Sequence, residues 1–490
     1  VRPFLVGKDN KLTTDNAAFR PRLSYLSRAD QKKIFEAALH VLGKTGMMLM
    51  HDGARQLLRA AGCRAAADSP VTLPSDLVHR ALESAPSSIS IYDRPGNPAM
   101  ELAGRNAYYG TGSDLIYSIE SEKMARHHCS LTDVALAARV GDALPNIDFI
   151  MSFAHPHDIQ PDRAYLESFQ CMAENSSKPI VNTAESRADL SQIWEIARIL
   201  RGSESALREK PYWIHYAEPI SPLKHPFQSV DKLLFCAETG SPVIYSPAPI
   251  AGSTAPMSIA GHVVQGLAEC FFGLVIHQLA APGAPFLMGM GPAVLDMVTG
   301  QCSYNAPEYL MAYMAMVEMS LYFDLPNWGY AGTSDSQIPD EQATFEAGLL
   351  SFMASTAGSN LNHNVGYLDF GRTGSLEMMV ILDEVIDQIR RMQLGIPVNA
   401  DTLGLEAIEE AGRSGNFLTH PHTLKHLRPT QWRPKLISRL GQDKWQARGE
   451  MSLLDRARIR LNEIKAEHQP VPIEAAKLAE IRDLVARFKA

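Results

Sequence analysis

Residues 212–248 read YWIHYAEPISPLKHPFQSVDKLLFCAETGSPVIYSPA. The stretch opens on a short apolar, aromatic and β-branched run, YWIHYA (212–217), of the kind that favours a strand. An amphipathic helix at about 225–239 follows, and then a second short apolar run, VIYSPA (243–248). Strand, helix and strand at this spacing form a βαβ unit, which requires parallel strands.

The same alternation extends in both directions. Upstream strand candidates are AYYGTG (107–112), IDFIMSFA (147–154) and PIVNTA (179–184); downstream are FLMGMG (286–291), NWGYAG (327–332) and NLNHNVGY (360–367). Helices are expected at about 130–142, 162–176, 188–201, 225–239, 257–280, 306–323, 341–357 and 375–391. Eight strands alternating with eight helices predict an α/β fold, a (β/α)8 TIM barrel. A doubly wound sheet would carry a Gly-rich phosphate loop after its first strand, and GTGSD (110–114) lacks the GxGxxG spacing.

Three segments are expected: an N-terminal helical segment over 1–106, the barrel over 107–395, and a C-terminal helical extension over 396–490. The first begins with an irregular lead-in at 1–25. From Ala29 a helix places Ile34, Ala37, Ala38, Val41 and Leu42 on one stripe. DGARQLLRAAG and SDLVHRALESA give two more helices, and SISIYDR a little strand. In the extension, AIEEAGRSGNFLTHPHTLKHLRPTQWRPKL is read as a loop rich in His and aromatics, with two further helices beyond it.

Composition sets limits. Of 490 residues 46% are hydrophobic and 20% charged, an ordinary globular balance. The net charge of −8 disfavours a nucleic-acid partner, which needs a basic face. The cysteines at 63, 129, 171, 236, 270 and 302 form no CxxC pair, so neither a zinc ribbon nor a disulfide framework is indicated. Cys270 to Leu295 carries no charge and is long enough to span a bilayer, but Pro282, Gly283 and Pro285 interrupt it. It is read as a buried helix, a turn and a buried strand. The first twenty residues lack the apolar core of a secretory signal. A soluble, cytoplasmic protein is the expectation, with no membrane partner.

Barrel chemistry gathers at the carboxyl ends of the strands. Those ends are rich in His, Tyr and Asn with a few carboxylates and no basic cluster, which disfavours a phosphorylated substrate and suits a cation. His155–Pro156–His157 raises a metal hypothesis, yet the intervening proline marks a loop, and no metal ligand is assigned. The Met-rich run from Met288 to Met319 is core filler for the most part.

At GTSDSQIPDEQATFEA and AGSNLNHNVGYLDFGRTGSLEMMVILDEVI the chain resembles the trimethylamine methyltransferase family, in its members without pyrrolysine. Further matches are VLGKTGMML, VTLPSDLVHRALESAPSSISIYDR, YYGTGSD, TDVALAARVGDALPNIDF and GNFLTHPHTLKHLR, in order from about residue 30 to 430. The resemblance implies a barrel that moves a methyl group from a small quaternary or tertiary amine to the cobalt of a separate corrinoid protein. No cofactor is then bound in the chain itself; cob(I)alamin and methylcobalamin are supplied by the corrinoid partner. Archaeal trimethylamine enzymes of the family use pyrrolysine, whereas Gly329–Gln337 and Asn360–Tyr367 hold only ordinary residues here. Relatives without pyrrolysine resemble demethylases of quaternary amines such as glycine betaine.

On that basis Tyr109, Phe153, His155, His215, Tyr330, Asp335, His363 and Tyr367 are expected to line the pocket. Asp335 or Glu218 would sense the ammonium, and His363 with Asn360 would hold a substrate carboxylate. The competing readings are a metal-dependent barrel enzyme (a zinc methyltransferase or a hydrolase) and a non-catalytic subunit that binds a betaine or a corrinoid protein. A homo-oligomer is expected.

Overall fold

The eight apolar runs become eight parallel barrel strands in a computed structural model, which describes residues 20–120, 124–412 and 415–488. In chain order they are Tyr108–Tyr109, Phe149 with Ile150, Ile180–Asn182, Trp213–Ala217, Val243–Tyr245, Phe286–Met288, Trp328–Tyr330 and Leu361–His363. Each pairs with the next: Asn182 with His215, Tyr245 with both Ala217 and Met288, and Tyr330 with His363. Single bridges join Gly110 to Phe149, Ile150 to Ile180 and Met288 to Asn327. The pairing of Asn362 with Tyr109 closes the ring.

The regular strands are shorter than the apolar runs because the chain bends sharply at their carboxyl ends. Phe153 (φ 63°) and Asn364 (φ 79°) lie in the left-handed region, where no strand continues. Most runs keep only part of their length in the barrel wall, while YWIHYA keeps Trp213–Ala217. The remainder forms the mouth.

Strand geometry then sorts the side chains by parity. Phe149, Val181, Ile214, Ile244, Leu287, Trp328 and Leu361 point inward and pack as one apolar layer. The layer is sealed from the amino-terminal end by an antiparallel hairpin, Ser88–Tyr92 with Pro98–Ala103, whose Ile89, Ile91, Met100 and Leu102 join it. Residues two positions further along, including Met151, Tyr216, Tyr330 and His363, face the axis above that layer.

Eight helices surround the wall: Leu131–Ala143, Ala164–Asn175, Arg187–Arg201, Phe227–Thr239, Ile259–Ala280, Pro307–Tyr322, Glu341–Ala357 and Leu376–Gln393. Their starts follow local capping chemistry, as in the reciprocal Ser186–Asp189 box. The fifth, Ile259–Ala280, is apolar nearly all round because it is covered nearly all round. The fourth and sixth barrel helices flank it, and Arg28–His40, Asp52–Ala60 and Ser75–Ser84 pack outside it. Among the described residues it is the one helix long and apolar enough to cross a membrane, and most of it is buried in protein. Its one acidic residue, Glu269, accepts hydrogen bonds from Ser221 Oγ (2.6 Å) and the Leu223 amide (2.8 Å).

The irregular lead-in expected at 1–25 lies outside the described residues as far as residue 19. The expected His-rich loop is partly helical, with Leu405–Ala411 overlapping its start and Pro421–Thr430 inside it. The second of these starts on a proline at its first position, capped by the His420 side chain, a start signal that the clustered histidines obscured. Beyond it, Leu453–Glu467 packs on the eighth and first barrel helices, and Ala475–Arg487 on the third and second. His468 Nε2 meets Asp142 at 2.8 Å and Lys477 donates to the Leu200 carbonyl at 3.0 Å.

The hairpin belongs to the barrel core and is no appendage, since Leu102 is fully buried against the inward layer. Leu102→Ala is expected to lower stability by about 2–5 kcal/mol, the range for a leucine truncated inside a packed core. Guanidinium denaturation measures this, and an unchanged midpoint would place the hairpin outside the cooperative unit.

Candidate functional site

A cavity of about 430 Å³ opens at the carboxyl end of the barrel, directly above the apolar layer. Six aromatic rings line it. Tyr216 comes from the fourth strand, Trp328 and Tyr330 from the seventh, and His363 from the eighth, with Tyr304 and Tyr367 on the loops after strands six and eight. The rings form a continuous surface. Trp328 stacks on His363 (4.1 Å between centroids, 25° between planes), and Tyr330 lies 4.4 Å from the same imidazole. Tyr216 stands 5.7 Å from Trp328 and Tyr304 6.1 Å from Tyr330.

Two carboxylates, Asp114 and Glu218, line the same space. Glu218 is exposed to the open cavity, with the walls of the mouth crowded around its carboxyl. Partial loss of water there raises its pKa above the ordinary value, a hydrogen bond from the Tyr216 hydroxyl (2.7 Å) opposes the rise, and the negative charge of Asp114 adds to it. Asp114 sits at φ 65°, with its carboxylate 3.8 Å from His155 Nδ1. Close backbone packing holds this rim together: a Cβ on Gly112 would collide with Asn364 and Tyr367, so only glycine fits there.

His363 has a defined tautomer. Its Nδ1 lies 2.7 Å from the Gly329 carbonyl, which can only accept, so the proton is on Nδ1 and Nε2 carries a lone pair. Burial pushes its pKa down to about 3, leaving the ring neutral. The expectation that His363 receives a substrate carboxylate is therefore corrected: its one N–H is already committed.

Of the other expected residues, Glu218, Tyr330 and Tyr367 line the cavity. Phe153 stands behind, edge-on to Tyr367 at 5.9 Å, and His155 is half-exposed at the rim, its pKa raised by Asp114. Four lie elsewhere. Tyr109 faces outward, its hydroxyl 3.3 Å from the Ser351 carbonyl. His215 alternates with inward Ile214 and Tyr216, so it is buried between wall and helices beside Asn182, and burial holds its pKa well below the usual value. Asn360 ties the amino-terminal ends of three strands together through the Asn106 carbonyl (2.8 Å) and the Asn327 amide (3.0 Å). Asp335 accepts from the Ser303 hydroxyl and the Tyr304 amide, so it holds the Tyr304 loop in place from behind.

Tyr216, Trp328, Tyr304 and Asp114 were not among the expected lining residues. Strict alternation from Ile214 would have picked Tyr216 over His215, whereas Tyr304 arrives on a loop and has no periodic signal. His155 and His157 diverge, the second stacking on His128 at 5.2 Å. Among the described residues no group of three or more His, Cys, Asp or Glu side chains gathers as a metal site. Cys302 also lines the cavity, but burial raises its pKa and keeps it a thiol.

The fold and site thus define a (β/α)8 barrel protein with an aromatic, acidic cavity at its mouth. The chain matches the family described as "Trimethylamine methyltransferase (MTTB)" over residues 9–490, and it belongs to that family. It is 29% identical to trimethylamine methyltransferase MttB of Desulfitobacterium hafniense (strain DSM 10664 / DCB-2), covering 92% of this chain and 91% of the relative. It is 27% identical to the glycine betaine methyltransferase of D. hafniense (strain Y51), covering 95% and 97%. Among solved structures, the Methanosarcina barkeri monomethylamine methyltransferase (MtmB) aligns with a TM-score of 0.49 at 13% identity, covering 89% of this chain and 87% of that one.

A cation in this cavity favours ionised Glu218. Since that carboxyl titrates above its ordinary value of 4.5, tetramethylammonium binding should weaken as pH falls through the raised pKa and level off above it. Glu218→Gln is expected to lose on the order of tenfold in Kd at pH 8 and to flatten this pH dependence. Titration calorimetry run from the ordinary carboxyl value of 4.5 upward to pH 8 reads both effects. A slope preserved in the variant would remove Glu218 from cation binding.

Proposed function

We propose that the protein removes a methyl group from a quaternary amine and delivers it to the cobalt of a corrinoid protein. The observation that carries this reading is the aromatic cavity with two carboxylates at the mouth of a barrel of this family. Its relatives are named as methyltransferases of trimethylamine and of glycine betaine, which supports methyl transfer from an amine.

The chemistry needs little from the protein. Cob(I) supplies the electron pair that forms the cobalt–carbon bond. The carbon–nitrogen pair stays on nitrogen, so a quaternary ammonium leaves as a neutral amine with no proton to move. The chain's task is to hold the cation against Trp328, Tyr216 and Tyr330, aim one methyl at the mouth, and limit water. Neutral His363 suits such a wall, since an imidazolium there would repel the substrate.

A protein partner at the mouth is supported by its rim. Loops leaving strands one, four, five, six and seven expose Ile116, Ile220, Met257, Met297, Val298 and Ile338. Apolar side chains gathered around one opening mark a surface for another protein.

The purified chain with reduced cob(I)alamin is expected to form methylcobalamin from at least one quaternary amine and none from trimethylamine, followed by absorbance. Turnover of trimethylamine alone would overturn the quaternary assignment. Because the positive charge already activates the bond, activity should also survive exhaustive chelation. Loss on chelation with rescue by zinc would favour a metal-dependent enzyme instead.

A further inference from the structure

We infer that the cavity is built for a methylated ammonium whose remaining substituent carries no carboxylate, so that zwitterionic betaines are the disfavoured members of the quaternary-amine class. The inference rests on the proposed methyl transfer and narrows its substrate.

Orientation comes first. In-line displacement places the nitrogen behind the departing methyl, as seen from the attacking cobalt. A partner approaching over the mouth therefore leaves the other nitrogen substituents pointing to the floor and sides of the cavity. Met151, Trp328 and His363 lie at the deep end, next to the apolar layer. A betaine bound productively would bring its carboxylate there, close to its own ammonium.

No cationic partner awaits it there: the uncommitted side-chain N–H donors are neutral, the buried Trp328 indole N–H and the Asn364 side-chain amide. The charged side chains that line the cavity among the described residues are Asp114 and Glu218, both acidic. His363 presents a lone pair at Nε2, its N–H being held by Gly329. The Tyr216 hydroxyl donates to Glu218, and that of Tyr367 donates to the Ser113 carbonyl at 2.8 Å. Tyr304 and Tyr330 offer neutral hydroxyls, which suit an alcohol or carbonyl tail better than an anion beside two carboxylates. Nearby cations are committed elsewhere: His155 faces Asp114 at the rim, Lys232 donates to the Ala184 carbonyl behind the wall, and Arg372 pairs with Asp369 at 2.8 Å. A carboxylate taken out of water beside Asp114 and Glu218, with no cation to pair with, is disfavoured, whereas a neutral or absent substituent meets no such cost.

The test uses the full-length chain, with calorimetry and cob(I)alamin methylation run on the same ligands: tetramethylammonium, choline, glycine betaine and the primary amide of glycine betaine. The amide keeps the betaine skeleton and removes its charge. Tetramethylammonium or choline, together with the amide, is expected to bind at least tenfold more tightly than glycine betaine, with kcat/KM in the same order. Glu218→Gln should narrow the gap between amide and betaine by relieving repulsion of the carboxylate. Glycine betaine binding as tightly as its amide, with methyl transfer, would overturn the inference while leaving the proposed reaction standing. No binding and no transfer with any of the four would overturn both.

Discussion

Everything at the mouth depends on the layer beneath it. Seven inward side chains, from Phe149 to Leu361, meet the hairpin residues Ile89, Ile91, Met100 and Leu102 in one packed apolar cluster. With a side-chain period of two, that layer fixes which residues come next along the axis. Tyr216 follows Ile214, Tyr330 follows Trp328, and His363 follows Leu361. The aromatic cavity is thus the second storey of a packed core, and its depth is set by the height of the first.

The same parity explains what sequence reading can and cannot reach. Eight apolar runs separated by amphipathic helices made the barrel legible, because burial on both sides demands such runs. Choosing inward residues required the phase of each run, which chemistry-led selection ignored: His215 looked functional and Tyr216 ordinary, yet the wall turns the first outward. Asn360 and Tyr109 were misplaced for a related reason, since they lie near the amino-terminal ends of their strands, away from the mouth. His363 lines the cavity, but its hydrogen bonding depends on a backbone carbonyl of the neighbouring strand, a contact between segments distant in sequence.

The loops contribute what the strands cannot. Asp335 reaches from the loop after strand seven to brace the loop after strand six, carrying Tyr304 into the wall. Asp114, Phe153 and Asn364 all hold left-handed backbone at strand ends around the opening. Such conformations persist only where the surroundings enforce them, and they gather where geometry matters to function. An expected ammonium sensor thus proves to be a bracket, and the acidic groups that meet the cavity are Asp114 and Glu218.

The tail helices bear on how the ring can be completed. Strands one and eight meet through Asn362 and Tyr109, about 250 residues apart, the kind of distant pairing that slows folding. Leu453–Glu467 lies across the helices on both sides of that seam, and Ala475–Arg487 continues around the outside. The clasp over the joint is therefore made after all eight strands it helps to hold. During translation the first strands wait with an open edge until strand eight and the helices that cover the seam have been made.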